Sequence, residues 1–410
     1  MSPGRRRSVL LVHYTTPGVL GGVEQVMGAH AAALRDAGAD VAIAAGRGTL
    51  PGALRGIRSI RIPLLDSKHP AVLEDFAALA RGEVRPEHHR LAGTIERALR
   101  PHVDRAERVV VHNALTLHKN HALAAALERL AATRPGRLIA WTHDLAWTDA
   151  QYAAELHRGD PWDRFRRAIQ NTRYVAVSEE RRDQTCRLLK LRRSQVSVVP
   201  NGVDVPGVLG LSVGGARLAA RLGLLERDPL LLLPARLTRR KRIEAAIAAT
   251  AELRLRGRDA GLVITGPPGA HNRANRGYLG DLVAQAAATE HVHVLYALGV
   301  RPTYRVVADL YALSDAVVLP TDNEGFGIPI VEAGLHRLPI VCTDLPVLRE
   351  LAGGDATYLR VGAAGAEIAD AIALRLDGDR QARLRSRVKR FAWPRVLRER
   401  VLPVILEDAA

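Results

Sequence analysis

Short aliphatic runs alternate with longer helical patterns along the whole chain, and this alternation restricts the fold more than any single residue does. In the first half, strand-like runs lie at residues 8–13, 40–44, 108–112, 137–141, 173–178 and 195–199. Helical patterns fill the gaps; residues 22–37 form one that closes on a C-capping Gly38. Near-continuous apolar strands separated by helices specify a parallel sheet covered on both faces. The pattern stops in the Gly- and Pro-rich stretch PNGVDVPGVLGLSVGG, residues 200–215, and starts again. Second-half runs lie at residues 229–233, 261–265, 291–296, 315–319, 339–343 and 357–361. The expected class is therefore α/β, with two Rossmann-like doubly wound domains joined near residues 201–206, and 410 residues are too many for one ordinary core. In such sheets ligands bind beyond the carboxyl ends of the strands, so the loops that follow strands are where chemistry is expected.

Composition narrows the function classes. Apolar residues make up 47% and aromatic ones 4%, which predicts a folded, aliphatic core. The net charge of +16, mostly arginine, suits nucleic acid, a membrane surface or a phosphate-rich substrate, and equally a plain preference for arginine. Nucleic-acid binding needs basic and aromatic residues gathered on one face, whereas here the arginines are scattered, so no nucleic-acid partner is expected. Cys186 and Cys342 form no CxxC pair, which argues against a disulfide framework or a cysteine-rich zinc site and for the cytoplasm. The N-terminal apolar stretch is too short for a signal-peptide core, and no apolar run approaches the roughly 20 residues that span a bilayer. Peripheral membrane contact through the basic stretches 5–7 and 82–105 stays open.

Five loops carry chemistry-bearing residues. In AVVLPTDNEGFGIPIVEAGLHRLPIVCTD a strand ends near Pro320, and a helix follows whose early Pro329 is well placed. Glu324 falls in the intervening loop and Glu332 in what reads as the first helical turn. Free N–H groups at a helix start suit a phosphate, and a carboxylate there can take both hydroxyls of a vicinal diol such as ribose. Gly325 and Gly327 let the backbone approach a ligand closely. In LLLLPARLTRRKRIEAAIAATAEL, Arg236 and Lys241 follow a strand and suit a diphosphate, one as a fork and one as a point charge. Arg239, Arg240 and Arg242 read as a solvated face. In HYTTPGVLGGVEQV, Gly21 and Gly22 precede a helix and offer amides to a phosphate or a sugar; no GxGxxG is present, which argues against a nicotinamide enzyme. LIAWTHDLAW sets His143 and Asp144 just past a strand end, and the loop at residues 264–278, with Gly266, completes the set. Neither GxxxxGK[ST] nor HExxH occurs, and Asp377 and Asp379 fall in a surface turn, so no catalytic metal is expected.

Together these residues resemble the retaining family 4 glycosyltransferases of the GT-B fold over nearly the whole chain. The family's glutamate pair corresponds to Glu324 and Glu332, its Arg-x4-Lys clamp to Arg236 and Lys241, and its Gly-Gly loop to Gly21 and Gly22. Its active-site histidine corresponds to His143, its hinge Asn-Gly to Asn201 and Gly202, and its Phe-x-Trp element to Phe391 and Trp393. The resemblance implies two domains facing a central cleft: residues 1–202 for the acceptor, 203–390 for the nucleotide sugar, and 391–410 as a helix crossing back. It implies that Glu332 holds the donor ribose, Arg236 and Lys241 the diphosphate, and Glu324 with Gly325, Phe326, Gly327 and Ile328 the donor sugar, with Gly266 nearby. His143 would lie near the reacting carbon, and the acceptor near His13, Tyr14, His118, Lys119 and Trp147.

Two departures stand out. Ala235 replaces the glycine usual before the Arg and Arg242 the glycine usual after the Lys, and the loop 266–277 is longer than the usual turn. The implied reaction moves a hexose, mannose or glucose, from GDP or UDP to a hydroxyl of a sugar, a glycerate-type or a lipid-linked acceptor. No cofactor or metal is expected beyond the nucleotide-sugar co-substrate. Arg236, Lys241 and the helix start would stabilise the leaving phosphate, which would itself help deprotonate the acceptor on the front face. Alanine at either Arg236 or Lys241 is expected to lower turnover by orders of magnitude and leave the fold intact. A sugar-nucleotide epimerase or a disaccharide phosphorylase on the same fold is the nearest rival.

Overall fold

Thirteen strands, all paired in parallel, form two sheets in a computed structural model that describes residues 7–268 and 274–407. The first sheet comprises β1 (Ser8–Val12), β2 (Asp40–Ala45), β3 (Arg58–Arg61), β4 (Arg108–His112), β5 (Leu138–Thr142), β6 (Arg173–Ala176) and β7 (Val196–Val198). Its order is β3-β2-β1-β4-β5-β6-β7. The second comprises β8 (Leu230–Leu233), β9 (Gly261–Ile264), β10 (Val292–Val294), β11 (Ala316–Leu319), β12 (Ile340–Thr343) and β13 (Thr357–Leu359), in the order β10-β9-β8-β11-β12-β13. Both sheets are doubly wound: the chain builds outward from β1 or β8, then returns to the other side at β4 or β11. The expected α/β class with two Rossmann-like domains, the pairing found in GT-B enzymes, is thus present. Every anticipated strand exists, most with their ends trimmed, β4 unchanged, β5 shifted by one residue and β2 one residue longer. Strand β3 was not anticipated, because its sequence RSIR offers one apolar residue and it lies at an edge, largely exposed.

Strands β5, β8, β9, β11 and β12 are buried at every position, and β1 and β4 at all but their first, as aliphatic runs covered on both faces require. Helix Gly22–Asp36 turns Val26, Met27, His30, Ala31 and Leu34 inward at helical spacing, and Gly38 follows it at φ +88°. The chain divides into two compact units, one of Met1–Gly202 with Trp393–Ala410 and one of Val203–Ala392. In the first unit the C-terminal segment contributes Val396, Val401 and Ile405 to the cluster built on Val9, Leu11, Val41 and Ile43. Gly202 has a steric role there: a Cβ at this position would lie 2.2 Å from the Trp393 ring. Each fully buried Leu, Ile or Val in these clusters contributes roughly 1.5–3 kcal/mol by leaving water.

Candidate active site

In the second unit, the chemistry-bearing loops meet where the strand order reverses. Strands β8 and β11 are neighbours, although β8 ends at Leu233 and β11 begins only at Ala316, and their loops are stitched together. The Arg240 carbonyl accepts from the Asp322 amide at 2.8 Å and from the Thr321 hydroxyl at 3.0 Å. The Arg240 guanidinium donates to the Asn323 carbonyl at 2.8 Å, and the buried Lys241 ammonium pairs with Glu324. Burial alone would raise the Glu324 carboxyl, but Lys241, the Gly325 amide and Arg240 together outweigh it and hold the group below its usual range. Arg236 stands apart: its side chain is exposed and has no hydrogen-bond or ion-pair partner among the described residues.

The solvated face expected of Arg239, Arg240 and Arg242 is corrected in detail. Arg239 lies over the Tyr278 ring at 5.0 Å, Arg240 joins the two loops, and Arg242 sits 3.7 Å from Asp322. Arg242 also takes φ +46°, a left-handed conformation that a glycine would adopt without strain, at the position where the family usually has one. Lys241 is not a free cation either: alanine there would strand Glu324, so an unaffected fold is now to be expected of the Arg236 variant only. Gly266 presses against the Ala235 carbonyl, while residues 269–273 of its loop lie outside the described residues.

Helix Ile328–Leu335 follows the β11 loop, with Gly327 at φ +97° as its N-cap. A Cβ on Gly327 would lie 2.8 Å from the Leu348 side chain, so both conformation and space demand glycine. Because the helix begins at Ile328, Glu332 is its fifth residue and sits in the second turn, not the first. Its carboxylate accepts from Tyr304 at 3.1 Å and from Tyr311 at 2.6 Å. Phe326 and Ile328 are exposed, and Gly325 has open space beside it.

The first unit repeats the pattern at its own reversal point, between β1 and β4. His13 Nδ1 lies 2.9 Å from the His112 carbonyl, and His112 Nδ1 lies 3.2 Å from His143 Nε2. His30, from helix Gly22–Asp36, packs on this row with its ring 5.4 Å from that of His112 and 4.6 Å from Trp141. Burial, reinforced by the neighbouring His13, pushes His143 down to about 4, and burial with His143 pushes His30 down to about 3. His112 is held well below its ordinary value by burial and the other imidazoles. These three rings are therefore neutral near pH 7 and serve as hydrogen-bonding groups, not as cations.

Two residues here escaped the sequence reading. Glu24 accepts from the Thr15 hydroxyl and lies 3.6 Å from His13, which chiefly holds its carboxyl down at about 2. Its oxygen occupies the space where a Gly21 Cβ would stand, so the helix start formed by Gly21 and Gly22 already faces a carboxylate. A second anion is disfavoured there and sugar hydroxyls are suited. Asn113 is the other: buried at φ +60°, it accepts from the amides of His143 at 2.9 Å and Asp144 at 3.0 Å, and donates to the Asp144 carboxylate at 2.9 Å. The available signal was an asparagine directly after a strand, since asparagine tolerates the left-handed region better than most residues.

The remaining acceptor candidates are less free than expected. The Tyr14 hydroxyl donates to the Leu117 carbonyl, and burial raises its pKa further than any physiological pH reaches. His118 is fully buried and bonded to Glu155 at 2.6 Å, Trp147 donates to the Trp162 carbonyl, and Lys119 lies 4.3 Å from the Tyr152 ring. Asp377 is paired with Arg258, and Asp379 caps helix Arg380–Lys389. No group of three or more His, Cys, Asp or Glu among the described residues has the arrangement to hold a metal, and no described helix is long and apolar enough to cross a membrane.

Two family models match almost end to end: Glycosyltransferase Family 4 over residues 20–205 and Glycosyl transferases group 1 over residues 217–391. The chain belongs to this glycosyltransferase family. Among curated relatives, it is 31% identical over 225 residues to D-inositol 3-phosphate glycosyltransferase of Nocardia farcinica, covering 52% of this chain and 47% of that one. It is 31% identical to the alpha-D-kanosaminyltransferase of Streptomyces kanamyceticus, covering 44% and 43%. It is 41% identical to the Escherichia coli serotype-specific mannosyltransferase WbdA over 66 residues, covering 16% and 8%. The matches thus span about half or less of these relatives' own lengths. Similar solved structures include sucrose-phosphate synthase from Thermosynechococcus elongatus, at 17% identity with coverage of 96% and 97% and a TM-score of 0.40. A Rickettsia africae glycosyltransferase has 16% identity, coverage of 99% and 100% and a TM-score of 0.38.

Proposed function

We propose that the protein is a retaining glycosyltransferase that moves a hexose from a GDP or UDP sugar to a hydroxyl acceptor, without a metal and in the cytoplasm. One observation carries the reading: two loops distant in sequence converge at a strand-order reversal, with Arg236, exposed and unpartnered among the described residues, on the loop that carries Lys241, whose fixed partner is Glu324. Ligands in doubly wound sheets bind at such reversals. Arg236 and Lys241 would hold the diphosphate and stabilise the charge that grows on it as the sugar departs, which is the help a metal gives elsewhere. Glu332 would take the ribose hydroxyls, and Glu324 with Gly325, Phe326, Gly327 and Ile328 the sugar.

The first unit would receive the acceptor, with His13 and the neutral His143 ring as hydrogen-bonding partners. The names of the relatives, a mannosyltransferase and an inositol 3-phosphate glycosyltransferase, favour a mannosyl nucleotide as donor and a polyol as acceptor. Calorimetric titration with UDP and GDP, with and without magnesium, tests this on wild type and on Glu332→Gln. Binding of one nucleotide without magnesium, weakened in the variant, is the expected result. Donor consumption without acceptor, or a need for inorganic phosphate, would replace transfer by an epimerase or phosphorylase reaction.

A further inference from the structure

The Glu332 carboxylate is held by two phenols that differ sharply in accessibility. Tyr311 is 1% exposed, stacks on His336 with ring centroids 5.4 Å apart, and donates to Oε2. Tyr304, the first residue of helix Tyr304–Leu313, is 78% exposed and donates to Oε1. The two hydrogen bonds therefore differ in kind. Moving the Tyr311 hydroxyl off the carboxylate would leave a buried donor unmet, whereas the Tyr304 hydroxyl can turn to water. A ring this large and this exposed gains little by burial in the fold, so its face is free to meet a ligand.

We propose that Tyr304 is a nucleoside-binding residue: its hydroxyl yields Glu332 Oε1 to a ribose hydroxyl, and its ring then covers one face of the base. The inference rests on Glu332 being the ribose carboxylate. A carboxylate has about four lone-pair sites, so Tyr311 can keep its hold while the diol binds. The base leaves the ribose at the carbon next to the 2′-hydroxyl. A diol on Glu332 thus brings the base to the ring whose own hydroxyl touched that oxygen, within the roughly 4.5–7 Å at which aromatic rings associate. Stacking of this kind accepts every base, so Tyr304 sets affinity for nucleotides as a class and does not itself choose between uracil and guanine.

The test is calorimetric titration of the full chain with UDP and GDP, comparing wild type with Tyr304→Phe, Tyr304→Ala and Glu332→Gln. Tyr304→Phe keeps the ring and removes the competitor of the ribose, so it should bind at least as tightly as wild type. Tyr304→Ala should bind about tenfold more weakly than Tyr304→Phe. Equal binding by the two Tyr304 variants overturns the role of the ring, and weaker binding by Tyr304→Phe than by wild type overturns the exchange. If Glu332→Gln weakens binding while Tyr304→Ala does not, the proposal for Tyr304 falls alone. If Glu332→Gln changes nothing, the ribose reading falls and takes this proposal with it.

Discussion

Removing the Asn113 side chain should loosen the first unit and its histidine row together. The two amides that Asn113 accepts from belong to His143 and Asp144, and its own amide steadies the Asp144 carboxylate. An unmet buried donor costs about 1–3 kcal/mol, and the amide of the exposed Asp144 recovers part of that from water, so Asn113→Ala should lose about 2–4 kcal/mol. Part of the loss is conformational, because alanine at φ +60° pays roughly 1–2 kcal/mol that glycine does not. Asn113→Gly should therefore be the milder variant, by about 1 kcal/mol. All four tryptophans, Trp141, Trp147, Trp162 and Trp393, lie in the first unit, so their fluorescence during urea unfolding reports on that unit alone. A shift under about 0.5 kcal/mol for Asn113→Ala would refute the hydrogen-bond argument. Equal losses for the alanine and glycine variants would refute the backbone argument.

Arg236→Ala should lower turnover by orders of magnitude at unchanged urea midpoint, since the side chain is exposed and unpartnered among the described residues; an unchanged rate would remove it from the diphosphate site. Lys241→Ala should in addition destabilise the second unit, which loses the partner of a half-buried Glu324; a circular-dichroism melt like that of wild type would count against the pair as drawn. Arg242→Gly should raise stability by up to about 1 kcal/mol, because it relieves a left-handed arginine; a lower melting temperature would mean that its contact with Asp322 matters more. The first unit should also weaken in acid. His143 and His30 titrate near 6.5 when unfolded but near 4 and 3 when folded, so the unfolded chain binds more protons below pH 6.5. Stability is complete at and above that pH and falls as pH drops, by about 1.4 kcal/mol per pH unit for each group. His143→Asn should flatten the tryptophan-monitored slope between pH 6.5 and 4; an unchanged slope would refute the depressed value.

Much of this protein was legible in its sequence, because the governing interactions are local. Aliphatic runs such as VVV in β4 and LLLL in β8 have no stable place except a sheet covered on both faces, so the fold class and every strand but the exposed edge strand β3 follow from pattern alone. The position of the loops that carry the candidate residues was legible for the same reason, since each directly follows a strand end. What sequence could not determine was pairing. It read Arg239, Arg240 and Arg242 as a solvated run, yet each meets a partner from another segment. It placed Glu332 at a free helix start, yet the helix begins at Ile328, one residue before its proline, which puts Glu332 in the second turn, and two tyrosines from another helix hold the carboxylate. It passed over Asn113 and Glu24, whose importance lies in what they touch. The periodicity of one segment determines how that segment is buried. Which side chains become partners depends on strand order, and strand order is decided only when distant segments pack.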